Sequence, residues 1–367
     1  MYRILVAPDG GLVVCGNNSM NFDDCYLAKL YGPCQNGATY PPNHSAYFNT
    51  VLTSSYQPLG PLPGDDFNYK GQILIGAGAT VELTGEWHFA DSRQVGVPTG
   101  IVVYPGGRLI LNGATLSGIE TSLQDCNFDY TGESMWDGIQ VYGNRSQPQY
   151  TAGQPNPDHG VVIMQNGSSI QDARTAIAMG DETYINNGGV LRVMPSTPRC
   201  SFKNNFTSVA FLSYWNTADL NGICRSSFTD VDFICDAPMK DSYFGGRASN
   251  VFISNWAVYG IKFEGCKFEN SYASNFSNGK RTTGIFSIDG TYSIMPSDNP
   301  ATFIQPCDYP DGAKCEFNYL SKGLEFWFDP QYALANSIHV YEAKFKDVSI
   351  GVESKIDFYT VLYKNQF

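Results

Sequence analysis

Histidines, paired carboxylates and clustered cysteines build most catalytic and metal sites. In this 367-residue chain they are scarce or poorly spaced for such work. The four histidines are His44, His88, His159 and His339, and Asp158-His159-Gly160 reads as a turn before a strand. Asp65-Asp66 lies among Pro and Gly residues, and Asp230-Val231-Asp232 offers too few donors for a calcium loop. The ten Cys include no CxxC pair and no Cys/His cluster at zinc spacing. The sequence therefore predicts no metal site and no cofactor, calcium being the one ion with any donors on offer, and it assigns no catalytic residue. What remains is aromatic. In Trp136-Asp137-Gly138-Ile139-Gln140-Val141-Tyr142, strand alternation places Asp137 inward with Ile139 and Val141. Trp136, Gln140 and Tyr142 then face outward. Aromatic faces suit sugar rings, and adjacent polar groups suit their hydroxyls, so this trio is the candidate carbohydrate-binding set. Trp215, Trp256, Trp327 and Phe326 are further exposed-aromatic candidates. The competing reading is that these rings cover loops against the wall of the fold.

The elements that must carry these residues are strands. Hydrophobic residues make up 43 %, enough for a large core, while charged residues are only 16 %, below the usual quarter. The deficit is filled by Gly, Tyr, Phe, Asn and Ser, the composition of a turn-rich β protein. A net charge of −12 argues against nucleic acid as a partner. No run of about 18 apolar residues occurs, so no helix is predicted to span a membrane. One pattern recurs without gaps: a small residue, x, Phe or Ile, x, Asn or Asp, then an aliphatic five places on. It appears around Ile170-Gln171-Asp172, Phe202-Lys203-Asn204 and Phe345-Lys346-Asp347, and around Phe228-Thr229-Asp230 with Cys235 as a looser end. Phe317-Asn318-Tyr319 has Tyr at the Asn/Asp place, Phe268-Glu269-Asn270 has Asn275 at the aliphatic place, and Cys126-Asn127-Phe128 matches only the opening. The small residue and the Phe share a parity and face one side of a strand. The Asn or Asp falls at a turn, where a left-handed backbone is tolerated. Such a unit cannot bury its own apolar face and must stack on copies of itself. Further alternating pairs (Ile73/Ile75, Val81/Leu83, Leu109/Leu111, Ile139/Val141, Leu191/Val193, Ile338/Val340) mark strands between the motifs. In the last, Glu342 breaks the row.

These residues, with Tyr104-Pro105-Gly106-Gly107-Arg108-Leu109-Ile110-Leu111-Asn112 and Trp136-Asp137-Gly138-Ile139-Gln140-Val141, resemble the coils of pectate-lyase-like proteins. More narrowly, they resemble β-helix segments of large surface proteins exported by the type IX secretion route. The resemblance implies an all-β, right-handed parallel β-helix over 71–367. Enzymes of this fold use acidic pairs, or a Lys or Arg base beside calcium. The polygalacturonase-like series Asn-Thr-Asp, Asp-Asp, Gly-His-Gly is absent.

Residues 1–35 look like part of one β-propeller repeat, a β-hairpin remnant, and 36–70 read as a connector. The chain reads as an excised piece of a longer precursor with unnatural ends and no polar cap after the last strand. Cys126, Cys200, Cys266 and Cys315 share the inward repeat position and read as buried free thiols. Cys307 and Cys315 flank Tyr309-Pro310-Asp311-Gly312 and alternatively form a local disulfide in an oxidising compartment, as do Cys25 and Cys34. The expected protein is an extracellular or cell-surface β-helix module, a stalk or adhesin segment with glycans or other surface proteins as partners. The alternative is a polysaccharide lyase or glycoside hydrolase with divergent residues.

Overall fold

The computed structural model describes the backbone of 2–6, 12–17, 25–30, 56–59, 66–69, 123–125 and 128–130. It describes backbone and side chains over 71–96, 98–119, 135–151, 155–217, 222–238, 240, 250–272, 282–297, 313–328, 338–355 and 360–367. Three long parallel sheets of ten, nine and nine strands form a right-handed parallel β-helix. The chain visits them in constant order. Tyr56–Leu59 opens the first sheet, Asp66–Tyr69 the second and Gln72–Ile75 the third, and every third strand then returns to the same sheet. Two short antiparallel pairs are inserted, Leu123–Asp125 with Phe128–Tyr130 and Tyr150–Thr151 with Gln154–Pro155. Separately, Tyr2–Val6, Leu12–Asn17 and Cys25–Leu30 form a three-stranded antiparallel sheet. That is one strand more than the hairpin expected there.

Parallel pairing begins at Tyr56, inside the stretch expected to be connector. Tyr56 lies opposite Val81 and Asp66–Tyr69 pairs with Glu86–Phe89. The segment reads as a connector because of its prolines. A strand with a neighbour on one side only tolerates Pro, whose missing N–H would interrupt an inner ladder, and Pro58 sits where the register of this first strand shifts.

The core is built from rows of like residues one strand apart. Ile73, Ile101, Ile139, Ile177, Val209, Ile253, Ile285, Leu324 and Val352 stand in register on the third sheet. On the second, the rings of Phe202, Phe233, Phe268, Phe317, Phe345 and Phe367 stack with successive centroids 5.1, 4.7, 4.7, 4.9 and 4.9 Å apart. The five motif phenylalanines are buried. One of them, Phe228, belongs to the first sheet and stacks on Phe263. The second-sheet strand of that coil carries Phe233 instead, so Phe228 is not equivalent to the other motif phenylalanines.

Asp172, Asn204, Asp230, Tyr319 and Asp347 take positive φ at the turns, as does Glu342, whose carboxylate pairs with Lys314 at 3.0 Å. The break at Glu342 is therefore a turn. Asn270 is not left-handed. It is fully buried and donates to Thr282 Oγ1 at 2.9 Å. It joins an internal polar ladder in which Thr282 donates to Asn250 Oδ1 at 2.5 Å, Asn250 to the Asn205 carbonyl at 3.4 Å and Asn205 to the Ile170 carbonyl at 2.9 Å. These side chains satisfy backbone groups that the turns would otherwise bury unpaired.

Cys200, Cys266 and Cys315 are free, fully buried thiols in the second-sheet core. The Cys266 N–H donates to Cys315 Sγ at 3.2 Å. Burial pushes the Cys266 thiol well above its ordinary pKa, which keeps it protonated and inert. Cys126, Cys307 and Cys34, named as inward or disulfide candidates, lie outside the described residues, as do the side chain of Cys25 and the turn residues 309–312.

Candidate functional site

Every second residue of the third sheet faces outward, and this face carries the aromatic candidates. The strand Trp136–Val141 departs from simple alternation. Its register against Ala173–Met179 shifts between Gly138 and Ile139, so the parity of its first half is reversed. Trp136 is thus fully buried, stacked on Phe89 at 4.5 Å with its indole N–H donating to the Gln171 carbonyl at 2.7 Å. Asp137, expected inside, is on the outside and 34 % exposed. Gly138 makes the bulge possible. It has φ 91°, and a Cβ there would stand 1.8 Å from the Thr175 carbonyl oxygen. Past the bulge the expectation holds, with Gln140 and Tyr142 facing out. The Tyr142 hydroxyl donates to Gln140 Oε1 at 3.1 Å, and its ring meets Tyr104 edge to face at 5.6 Å. Burial, then the charge of Asp181, raises the Tyr142 pKa, so the hydroxyl remains a donor.

Farther along the same face the structure assembles a second group. Trp256, Ile288, Trp327 and Lys355 are consecutive register partners and form one outward row. Trp256 is 45 % exposed. Phe286 meets Trp327 edge to face at 5.4 Å, and the Lys355 ammonium lies 4.1 Å from the Trp327 ring centroid. Beside them Lys322 binds Glu325 at 2.7 Å and Glu353 at 2.5 Å. Burial works to lower the Lys322 pKa, but these two carboxylates outweigh it and hold it raised. Of the other aromatics named from sequence, Trp215 is half-buried against Tyr259 at 5.0 Å. Phe326 is fully buried and drops out, because it falls on the inward parity of Lys322–Trp327. Phe286, Ile288 and Lys355 were missed. For Phe286 and Ile288 the one sequence signal is an apolar residue at an outward position of an alternating strand; Lys355 carries none.

At the other end of this face Asp91 and Asp137 share one guanidinium. Arg174 donates to Asp91 Oδ1 and to Asp137 Oδ1. Asp91 caps the short helix Ser92–Val95, accepting from the Arg93 N–H at 2.9 Å and pairing with the Arg93 guanidinium at 3.0 Å. Ser92 and Thr99 donate to Asp137 at 2.9 and 3.3 Å. Burial alone would raise the Asp91 pKa, but the hydrogen bonds from Arg93 and Arg174 hold it below the usual carboxylate range. A carboxylate so held is a poor general acid, which needs a raised pKa.

Asp230 occupies a turn and Asp232 pairs with Arg199 at 3.1 Å, while Asp66 opens the first second-sheet strand and Asp65 lies outside the described residues. Among the described residues no three His, Cys, Asp or Glu side chains converge as metal ligands, and no helix is long and apolar enough to cross a membrane. His88 and His339 contact Ser117 Oγ at 2.6 Å and the Tyr341 hydroxyl at 2.9 Å. His159 is 2 % exposed. Its Nε2 lies 3.1 Å from the Gln147 carbonyl, which only accepts, so Nε2 carries the proton and Nδ1 is left without a partner. Burial lowers the His159 pKa. The unfolded chain therefore takes up a proton below about pH 6.5 that the folded chain refuses. Stability is full above that pH and declines as pH falls toward the folded value. His159→Gln is expected to flatten this decline in urea midpoints measured from pH 7.5 to 5. His339, also lowered by burial, adds to the slope. An unchanged slope would remove His159 as its source.

The class of protein is thus a parallel β-helix with an aromatic outer face. No protein-family model, no curated protein and no solved structure matches the chain.

Proposed function

We propose that this chain is a non-catalytic module of an extracellular or cell-surface protein, a stalk or adhesin segment of the type exported by the type IX route, that contacts carbohydrate along the outward face of its third sheet. The observation that carries the reading is the row Trp256, Ile288, Trp327 with Phe286 beside it. Neighbouring parallel strands lie about 4.8 Å apart, so the two indoles stand roughly 10 Å from one another along the helix axis. That is the length of a disaccharide in an extended glycan. The rings supply apolar faces, Lys355 lies over the face of Trp327, and Ser254 and the Lys322–Glu325–Glu353 group supply polar partners beside them. Gln140 and Tyr142 offer a second, smaller contact on the same face.

The test is a neutral-glycan binding screen followed by Trp256→Ala and Trp327→Ala. Each ring–ligand contact contributes about 1 kcal/mol, so each change is expected to weaken binding roughly five- to tenfold without altering the melting temperature by more than a few degrees. Binding that survives both changes would sink the reading. The same protein is expected to release neither reducing nor unsaturated sugars from pectin, alginate or neutral glycans, with or without calcium. Product formation abolished by Asp137→Ala would establish the lyase or hydrolase alternative instead.

A further inference from the structure

A pocket on the outer face of the first sheet gathers positive charge in a chain whose net charge is −12. Its floor is the strands Arg108–Asn112, Val161–Gln165 and Val190–Val193, with Arg108, Val161 and Val190 in register. Its roof is the loop carrying Gln149, Tyr150 and Asn156. Arg192 donates to the Tyr150 hydroxyl, and its guanidinium carbon lies 5.4 Å from the centre of that ring. Arg225 lies over the same ring, also at 5.4 Å. Tyr150 thus draws two guanidinium groups together, and Arg108 lines the same pocket.

Arg108 and Arg192, lining one pocket, repel one another unless a counter-charge joins them. The contrast with the rest of the chain is informative. Arg93, Arg174 and Arg199 each bind a carboxylate, whereas the described residues offer none to Arg108 or Arg192. The roof is rigid. The Gln149 side chain donates to the Gly188 and Gly189 carbonyls at 2.9 and 3.1 Å and accepts from the Arg225 N–H at 2.8 Å, and Asn156 donates to the Pro148 carbonyl at 2.8 Å. A preformed cationic site needs little ordering when a ligand arrives. The pocket is small and open on one side, so a small anionic group enters it while the rest of its bearer stays in solvent. A flat carboxylate, entered edge-on, matches the planar guanidinium fork.

We propose that this pocket binds a single carboxylate group of a small organic acid. The site is independent of the aromatic face, and neither stands or falls with the other. Calorimetric titration of the full chain with sodium acetate, at ionic strength held constant with sodium chloride, is the test. Saturable binding is expected, weakened about tenfold or more by Arg108→Gln and by Arg192→Gln. It should be unchanged by Lys262→Gln, which alters an exposed cation elsewhere on the same sheet. Arg108 is exposed, so its replacement leaves the fold intact even if Arg192→Gln disturbs Tyr150. Glucuronate carries the same group on a sugar; tighter binding than acetate, with the same dependence on Arg108, would place the acid on a glycan. Absence of saturable acetate binding, equal affinity in Arg108→Gln, or tighter binding of inorganic phosphate than of acetate would overturn the proposal.

Discussion

Phe268→Ala is expected to destabilise the β-helix by about 3–5 kcal/mol, the range for deleting a fully buried ring from a core that cannot collapse around the gap. Phe268 sits mid-stack, 4.7 Å from Phe233 on one side and 4.7 Å from Phe317 on the other. Both neighbours are fixed by parallel ladders, so neither moves in to fill the space. Phe367→Ala is the matched control. That ring stacks on Phe345 at 4.9 Å but is 77 % exposed, and its loss should cost well under about 1 kcal/mol. Each coil of a solenoid contacts only its neighbours, so the damage should also be local. Amide exchange should accelerate in strands such as Val231–Cys235 and Glu316–Asn318 well before it does in Thr80–Leu83. Equal costs for the two substitutions, or uniform acceleration along the chain, would contradict the stacked-core account.

The fold was legible because each coil repeats the same physical problem. A Phe or Ile must point in, and in several coils the chain turns two residues later with a left-handed residue. Phe202-Lys203-Asn204 and Phe345-Lys346-Asp347 state both halves of that solution, and the structure places both as read. What misled was the assumption that a motif marks one sheet. Phe228 and Phe233 are both buried but lie on different sheets of one coil, and only Phe228 is followed two residues later by a left-handed residue, Asp230. The motif marks a left-handed corner, and in that coil the corner follows the first sheet. The polar ladder escaped for a related reason. Asn205 and Asn250 do their work beside the turn residues, bonding backbone groups of the neighbouring coil, and sequence separation hides that neighbour.

The candidate site was less legible. Parity gave Gln140 and Tyr142 correctly and failed for Trp136 and Asp137, because one bulge at Gly138 inverts everything before it. An isolated glycine inside a strand is the usual mark of a bulge, so the signal was present. The row Trp256, Ile288, Trp327 had no such signal. Its members come from coils whose intervening loops differ in length, and only the ladder registers bring them into line.

The Arg174 cluster joins residues 83 and 37 positions apart, and its removal should have the second large effect. Asp91 is 2 % exposed and ionised, held by Arg174 and Arg93. Removing one partner of a buried ion pair costs about 3–5 kcal/mol, since a charge is left without compensation. Because Arg93 remains, Arg174→Ala should fall at the lower end, about 3 kcal/mol. The pH dependence tests the cause. In the native chain the Asp91 pKa is lowered, so its contribution is present above the unfolded value near 4 and is lost as pH falls through the folded one. In Arg174→Ala burial is less opposed, the carboxyl protonates more readily, and a neutral carboxyl no longer needs the missing cation. The stability gap between the two proteins should therefore be widest at neutral pH and narrow as pH falls from about 5 to 3. Adding Asp91→Asn to Arg174→Ala should recover part of the loss at neutral pH. Urea unfolding of the three proteins at each pH decides the matter. A gap below about 1 kcal/mol at pH 7, or one that stays constant through the acid range, would show that Arg174 acts by packing rather than by neutralising Asp91.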